Sequence, residues 1–216
     1  MKTFDVIALG ELNVDLILNR IAGFPEVGKE IFARDMICTL GSSTAIFAAN
    51  VSALGARTAF AGMIGRDAFG ELVRGSLEAR GVDTRYVIEA ADRATGVTVV
   101  MSYGEDRANV TYPGAMEALR FADLDPEIFL SARHIHLSSL FMQPGLLADI
   151  VPILRAAHDG GATVSLDTQW DPAEEWRIDC REVLPLIDVF MPNEAELTAL
   201  AHAASLDEAI GSVRPW

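Results

Sequence analysis

Three short segments pair residue types that can hold hydroxyl or phosphate oxygens. In Gly10-Glu11-Leu12-Asn13-Val14-Asp15 an amide and a carboxylate stand two positions apart. Alternate residues of an extended segment project to one side, so Asn13 and Asp15 are placed to face a common partner. They suit a polyol, because a carboxylate accepts from hydroxyls and an amide both donates and accepts. The structural alternative is a turn asparagine beside a solvated aspartate. In Leu40-Gly41-Ser42-Ser43-Thr44, backbone N–H groups opening a helix can receive anionic or hydroxyl oxygens, and Gly41 permits close approach. Ordinary capping by Ser42 or Ser43 is the alternative there. In Met191-Pro192-Asn193-Glu194-Ala195-Glu196, Asn193 and Glu196 have capping-box spacing. Their functional reading is to organise water around a Mg²⁺-nucleotide, since Mg²⁺ keeps most of its waters.

Other segments invite chemistry less strongly. Asp167 and Asp171, in Ser165-Leu-Asp-Thr-Gln-Trp-Asp-Pro172, could bind a metal or fix a loop. Gly23-Phe-Pro-Glu-Val-Gly28-Lys29-Glu30 imitates a phosphate-binding loop. However, Glu30 replaces the hydroxyl residue and Pro25 removes an amide, so that reading is set aside. Gly62-Met-Ile-Gly65-Arg66-Asp67-Ala-Phe-Gly70 reads as a strand-to-helix turn capped by Asp67. His134 and His136 share one face of a strand and read as core or edge residues. Cys38 and Cys180 have no metal-ligand spacing and read as buried free thiols rather than a bridge.

The elements that position these residues follow from periodicity. Phe4–Leu9 is a nearly continuous apolar run, as expected of a buried parallel strand. Asp15–Asn19 and Glu30–Thr39 read as more exposed strands. Ser43–Leu54 is an Ala-rich helix stopped by Gly55, Thr58–Ala61 a strand, and Asp67–Arg80 an amphipathic helix ended by Gly81. Thr95–Ser102 and Arg107–Tyr112 flank the turn Tyr103-Gly-Glu-Asp106 as a hairpin. Strand and helix then alternate: His134–Ser138, Leu146–Asp159, Ala162–Asp167, Val183–Leu186, Asp188–Met191, Asn193–His202 and Ser205–Val213. The pattern predicts an α/β fold with a parallel sheet. The hairpin material outside that rhythm predicts a small β lid.

Composition bounds the possibilities. The 216 residues are 50% hydrophobic and carry 31 acidic against 17 basic groups, a net charge of −14. Such a chain has the apolar material for a large core. It lacks the basic face that nucleic acid or an anionic membrane requires. Asp5, Glu11 and Asp15 interrupt the N-terminal apolar run, which excludes a signal peptide, and the longest uncharged stretch, Met36–Ala56, is too polar to span a bilayer. A cytoplasmic protein is expected.

Taken in order, Gly10-Glu-Leu-Asn13-Val-Asp15, Gly41 before a small-residue helix ending Ala53-Leu-Gly-Ala56, Gly62-Met-Ile-Gly65-Arg-Asp67-Ala-Phe-Gly70, Gly81-Val-Asp83-Thr84 and Asn193-Glu-Ala-Glu196 resemble the ribokinase-type (PfkB-type) carbohydrate kinases. The resemblance implies a Rossmann-like three-layer αβα core with a β-sheet lid, its strands falling at about 12–40 and 94–112. It implies transfer of the ATP γ-phosphate to a sugar hydroxyl with Mg²⁺. Asn13, Asp15, Gly41 and Ser42 then correspond to sugar-binding positions. Asn193 and Glu196 correspond to the Mg²⁺ and phosphate element, Glu196 acting through water. A homodimer through the lid strands is implied by resemblance alone.

Two departures stand out. Ile46 replaces an asparagine that many members use on the sugar, which points to another or a modified sugar. The Gly-Ala-Gly-Asp element carrying the family's catalytic aspartate does not occur in residues 1–216. The expectation is therefore the N-terminal, substrate-binding part of a sugar kinase, inactive alone. The alternatives are a non-catalytic sugar-binding or dimerising module, and a nucleoside or sugar-acid kinase of the same superfamily.

Overall fold

The computed structural model describes residues 2–104 and 106–214. Along the chain run β1 (Phe4–Leu9), β2 (Asn13–Asn19), β3 (Asp35–Leu40), α1 (Ser43–Ala53), β4 (Thr58–Gly65), α2 (Ala68–Glu78) and β5 (Asp83–Ala90). The lid hairpin β6 (Gly96–Tyr103) and β7 (Asp106–Tyr112) follows, then α3 (Glu127–Ser131), β8 (Ala132–Ser138), α4 (Pro144–Ala148) and α5 (Ile150–Asp159). Last come β9 (Thr163–Asp167), α6 (Cys180–Val183), β10 (Val189–Phe190), α7 (Glu194–Leu200) and α8 (Leu206–Val213).

Six strands form a parallel sheet in the order β10-β9-β8-β1-β4-β5. The apolar run of β1 lies at its centre, where Ile7, Ala8 and Leu9 are fully buried. One face packs on α1 and α2 through Ala45, Ala48, Val73 and Leu77. The other packs on α3, α4 and α5 through Ile128, Phe129, Leu146, Ile153 and Leu154. The chain leaves β1 toward β4 on one side and returns to β8 on the other, so the strand order reverses between β1 and β8. In open α/β sheets such a switch point opens a crevice at the carboxyl ends of the strands.

A second sheet, ordered β3-β2-β6-β7, stands over that crevice. Its hinge is the Gly65-Arg66-Asp67 turn. Asp67 caps α2 by accepting from Gly70 N at 2.8 Å, and also accepts from Thr95 N and Thr95 Oγ1, each at 2.8 Å. Burial works against that carboxylate, yet the donors prevail and its pKa lies below 3.8. Gly65 is required here because a Cβ would sit 2.5 Å from Arg93 O and 2.6 Å from Thr95 N.

Several expectations need correction. The strand expected from Glu30 begins only at Asp35, because β2 ends at Asn19, which pairs with Asp35 and leaves nothing for earlier residues to join. The helix expected over Leu146–Asp159 is two helices broken at Asp149, whose carboxylate accepts from Phe121 N at 3.0 Å. Only Cys180–Val183 and a following 3-10 turn form where Val183–Leu186 was expected to be helical. Strand β5 and the short helical turns between 114 and 131 were not anticipated. Cys38 is exposed and Cys180 half-buried, so the thiols are free but not buried. Glu105 of the expected turn lies outside the described residues. No helix among the described residues is long and apolar enough to cross a membrane.

His134 and His136 hold β8 to β9 by sharing the Ser165 hydroxyl, at 2.7 and 2.8 Å. The His136 ring stacks on Phe47 with centroids 3.7 Å apart. Burial, helped by His134, pushes the His136 imidazole from 6.5 down to about 4. The unfolded chain therefore takes up a proton that the native state refuses, and stability falls as pH drops from 6.5 toward 4. The expected loss is about 3 kcal/mol. Urea titrations across this range should show it, and His136→Asn should flatten the slope.

Candidate functional site

The residues after β1 turn the chain into the lid and carry the first site groups with them. Asn13 and Asp15 lie on one face of β2, as alternation requires, with Asn13 Nδ2 donating to Asp15 Oδ1 at 3.4 Å and to Thr98 Oγ1 at 2.6 Å. Gly41, at the end of β3, comes back against them. A Cβ there would collide with Asp15 Oδ1 and lie 2.8 Å from Asn13 Oδ1. Ser42 then opens α1. Its hydroxyl donates to Glu11 O at 2.6 Å and accepts from Ala45 N at 3.1 Å, so it serves as the helix cap.

Asn13, Asp15 and Ser42 line one cavity of about 270 Å³ between the strand ends and the lid. Thr98, Arg107, Asn109 and Thr111 line it from the lid, and Ser43, Ile46, Met116, Ser139, Met142 and Gln169 from the core. Asn13 is only 4% exposed, and its Oδ1 is buried with no hydrogen-bond partner. Buried polar atoms are nearly always paired, so this oxygen marks a place for a donor from a ligand. Backbone strain concentrates here too. Ser42, Ser139 and Gln169 all line the cavity with φ of 70°, 51° and 55°, a conformation that non-glycine residues adopt at a cost.

Beneath the cavity lies a buried carboxyl that sequence reasoning quoted but gave no role. Glu11 accepts from Ser43 Oγ at 2.8 Å, Thr44 N at 3.2 Å and Gln143 Nε2 at 3.3 Å, and also from Thr44 Oγ1. Burial raises its pKa, and the Thr44 and Ser43 donors oppose that rise. Ser43 Oγ also meets Ser138 Oγ and Ser139 Oγ at 2.7 and 2.8 Å. Asp15, half-buried, is likewise raised by burial, with the Asn13 amide and the Arg107 charge opposing. Arg107, Asn109 and Thr111 were missed as well, although their period-two spacing on an expected strand was a usable signal.

Asn193 and Glu196 do not line this cavity. They form the expected capping box on α7: Glu196 N donates to Asn193 Oδ1 at 2.9 Å, while Asn193 N and Nδ2 donate to Glu196 at 3.0 and 2.6 Å. Asn193 lines a separate open depression with Trp170, while Glu196 is buried. Trp170 also lines a third depression, which shares Asn109, Thr111, Met142 and Gln169 with the sugar-sized cavity. Burial raises the pKa of Glu196, and the charge of Asp167 adds to that rise. Asp167 is itself raised by burial. Both Glu196 oxygens are engaged by Asn193. Among the described residues no group of three His, Cys, Asp or Glu forms a direct metal cage. Asp171 is the loop-fixing residue: its carboxylate accepts from Ala173 N, Glu175 N and Trp176 N at 2.9, 3.0 and 2.7 Å.

Comparison with known proteins gives the family and the fold. Residues 3–214 match the pfkB family carbohydrate kinase. A probable fructokinase-3 of Arabidopsis thaliana is 31% identical over 179 residues, covering 78% of this chain and 51% of its own. The structure of a fructokinase from Xylella fastidiosa with bound ATP superposes with a TM-score of 0.80 at 24% identity, covering 100% of this chain and 69% of that one. An Arabidopsis thaliana ribokinase complexed with ribose and ATP gives 0.77 at 24% identity, covering 99% and 68%. The chain spans about half to two-thirds of the length of the curated relatives it matches.

Replacing Glu11 by alanine leaves Ser43, Thr44 and Gln143 donors facing a void. Chemical denaturation should show a loss of about 3 kcal/mol or more, and Glu11→Gln, which keeps an acceptor, a distinctly smaller one.

Proposed function

The chain belongs to the pfkB family of carbohydrate kinases, and on that footing we propose that residues 1–216 form the acceptor-binding part of an ATP-dependent sugar kinase. The observation that carries this is the unpartnered Asn13 Oδ1 beside a cavity that Asn13 and Asp15 line together with the polar row of the lid. A sugar hydroxyl donates to Asn13 Oδ1 and a neighbouring one to the Asp15 carboxylate. The bare backbone of Gly41 lets those two side chains lie against it.

Phosphoryl transfer depends on positioning and on stabilising charge at the moving group. Mg²⁺-ATP, when bound, supplies the phosphoryl group and neutralises its charge. Asn193 and Glu196 would hold the hydrated Mg²⁺ through water at the depression that Asn193 lines. Glu11 fixes the floor of the cup, and the lid over it excludes water. The oxygens of Glu11 are engaged by its four donors, which keeps it from taking the hydroxyl proton. We assign that step to a base outside residues 1–216, as the resemblance implies. The free thiols support a cytoplasmic setting, and the net charge of −14 argues against nucleic acid and anionic membranes as partners.

A second copy of the chain is the partner we assign to the lid. Met36 on β3 and Val110 on β7 lie on one face of that sheet by register and are 62% and 61% exposed. Light scattering should give a dimer, and Met36→Lys with Val110→Lys a monomer; a monomeric parent chain would refute the assignment.

Calorimetric titration with fructose and ribose should show saturable binding that Asn13→Ala and Gly41→Ala each weaken by about tenfold or more, with thermal melts confirming that both variants are folded at the assay temperature. Affinity should fall on acidification, starting above pH 3.8 because burial raises the Asp15 pKa. Coupled assay of residues 1–216 with ATP, Mg²⁺ and the same sugars should show no turnover above background. Ordinary kinase rates would refute the proposed division of labour.

A further inference from the structure

The cup is electrically lopsided in a way that acceptance of a neutral sugar does not require. Its acidic groups, Glu11 and Asp15, lie at the end nearest the parallel sheet. On the lid, Asp15 is paired with Thr98, and Thr98 with Thr111. Four register positions farther out, Ser102 is paired with Arg107. Arg107, Asn109 and Thr111 alternate on β7, so all three present the same face, and all three line the cavity. The cup is therefore negative at one end and positive at the other, along about 13 Å of strand.

Arg107 is the one Lys, Arg or His among the residues lining this cavity. Among the described residues its guanidinium has no carboxylate within ion-pairing distance. Asp15 feels its charge from farther off, as the weakest influence on that carboxyl. The walls between the two ends include Ile46, Val100, Met116 and Met142. These apolar side chains offer a substrate no competing hydrogen bonds, and Arg107 itself is exposed. A guanidinium presents a planar fork of donors that matches a carboxylate or a phosphate.

Resting on the acceptor-site reading above, we propose that the acceptor is a monosaccharide carrying an anionic group, a carboxylate or a phosphate, remote from the hydroxyls held by Asn13 and Asp15, and that Arg107 selects it. The opposed charges would also fix the direction in which the substrate lies: its anion is drawn to Arg107 and repelled from Asp15. Only the hydroxylated end then reaches the strand tips, where phosphoryl transfer would occur. The cavity of about 270 Å³ lies at the small end of ligand sites, which suits a single sugar unit.

The test is calorimetric titration of the chain with gluconate and ribose 5-phosphate against fructose and ribose, at low and at raised salt. At least one anionic sugar should bind about tenfold or more tightly than the neutral pair, and salt should erode only that advantage. Gluconate ahead of ribose 5-phosphate identifies a carboxylate; the reverse order identifies a phosphate. Arg107→Gln should bring the ratio of anionic to neutral affinity close to one, and Arg107→Lys should restore part of it. Arg34→Gln, an equal change of charge on the lid away from the cup, should leave the ratio intact. Neutral sugars binding as well as anionic ones, or Arg107→Gln leaving the ratio unmoved, overturns the inference while the acceptor-site reading stands. Absence of binding by any of the four sugars overturns both.

Discussion

A single buried carboxyl group, that of Glu11, holds the working end of this molecule together. It follows β1, the central strand, and gathers donors from the start of α1 and from Gln143, whose amide also donates to the carbonyls of Ser138 and Ser139 at the end of β8. Three elements that diverge at the switch point of the sheet are thereby tied at one atom cluster. Buried polar networks are costly when incomplete and specific when satisfied. This one is satisfied with donors alone, and those donors oppose the rise that burial imposes on the carboxyl's pKa. With that knot in place, Ser42 is held in its strained conformation and Gly41 is pressed against Asn13 and Asp15.

The lid is a second sheet fastened at a second knot. Thr95 meets Asp67 through both its backbone and its hydroxyl, and Thr95 Oγ1 receives Gly65 N at 2.9 Å. The glycine-rich turn thus serves the site without touching it, by fixing where β6 begins. Gly96 pairs with Asn13 in the next register position, so the hinge and the first site residue are one step apart. The lid brings in Asp15 and the polar row Thr98, Asn109, Thr111 and Arg107, while the core supplies Glu11 and the floor. Neither part makes a cup alone.

Much of this is legible in the amino-acid sequence, for local reasons. The apolar run Phe4–Leu9 marks the central strand, the two-residue spacing of Asn13 and Asp15 predicts a shared face, and the Asn193/Glu196 spacing predicts a capping box. What escapes is set by contacts between distant residues. Glu11 and Gln143 stand 132 positions apart, and no local pattern announces their bond. Asp149 breaks a helix through a partner 28 positions away. Strand β5 is an edge strand carrying Asp83, Arg85 and Glu89, whose charges hide its period. Arg107 looked like one more hairpin charge until the lid placed it over the cavity.

The central claim is that a sugar sits between the strand tips and the lid with its hydroxyls on Asn13 and Asp15. A crystal structure of the chain soaked in fructose or gluconate tests it most directly. The account requires a sugar hydroxyl within hydrogen-bonding distance of Asn13 Oδ1 and a second on the Asp15 carboxylate. A sugar bound at another surface, with Asn13 Oδ1 still unpartnered, would contradict it.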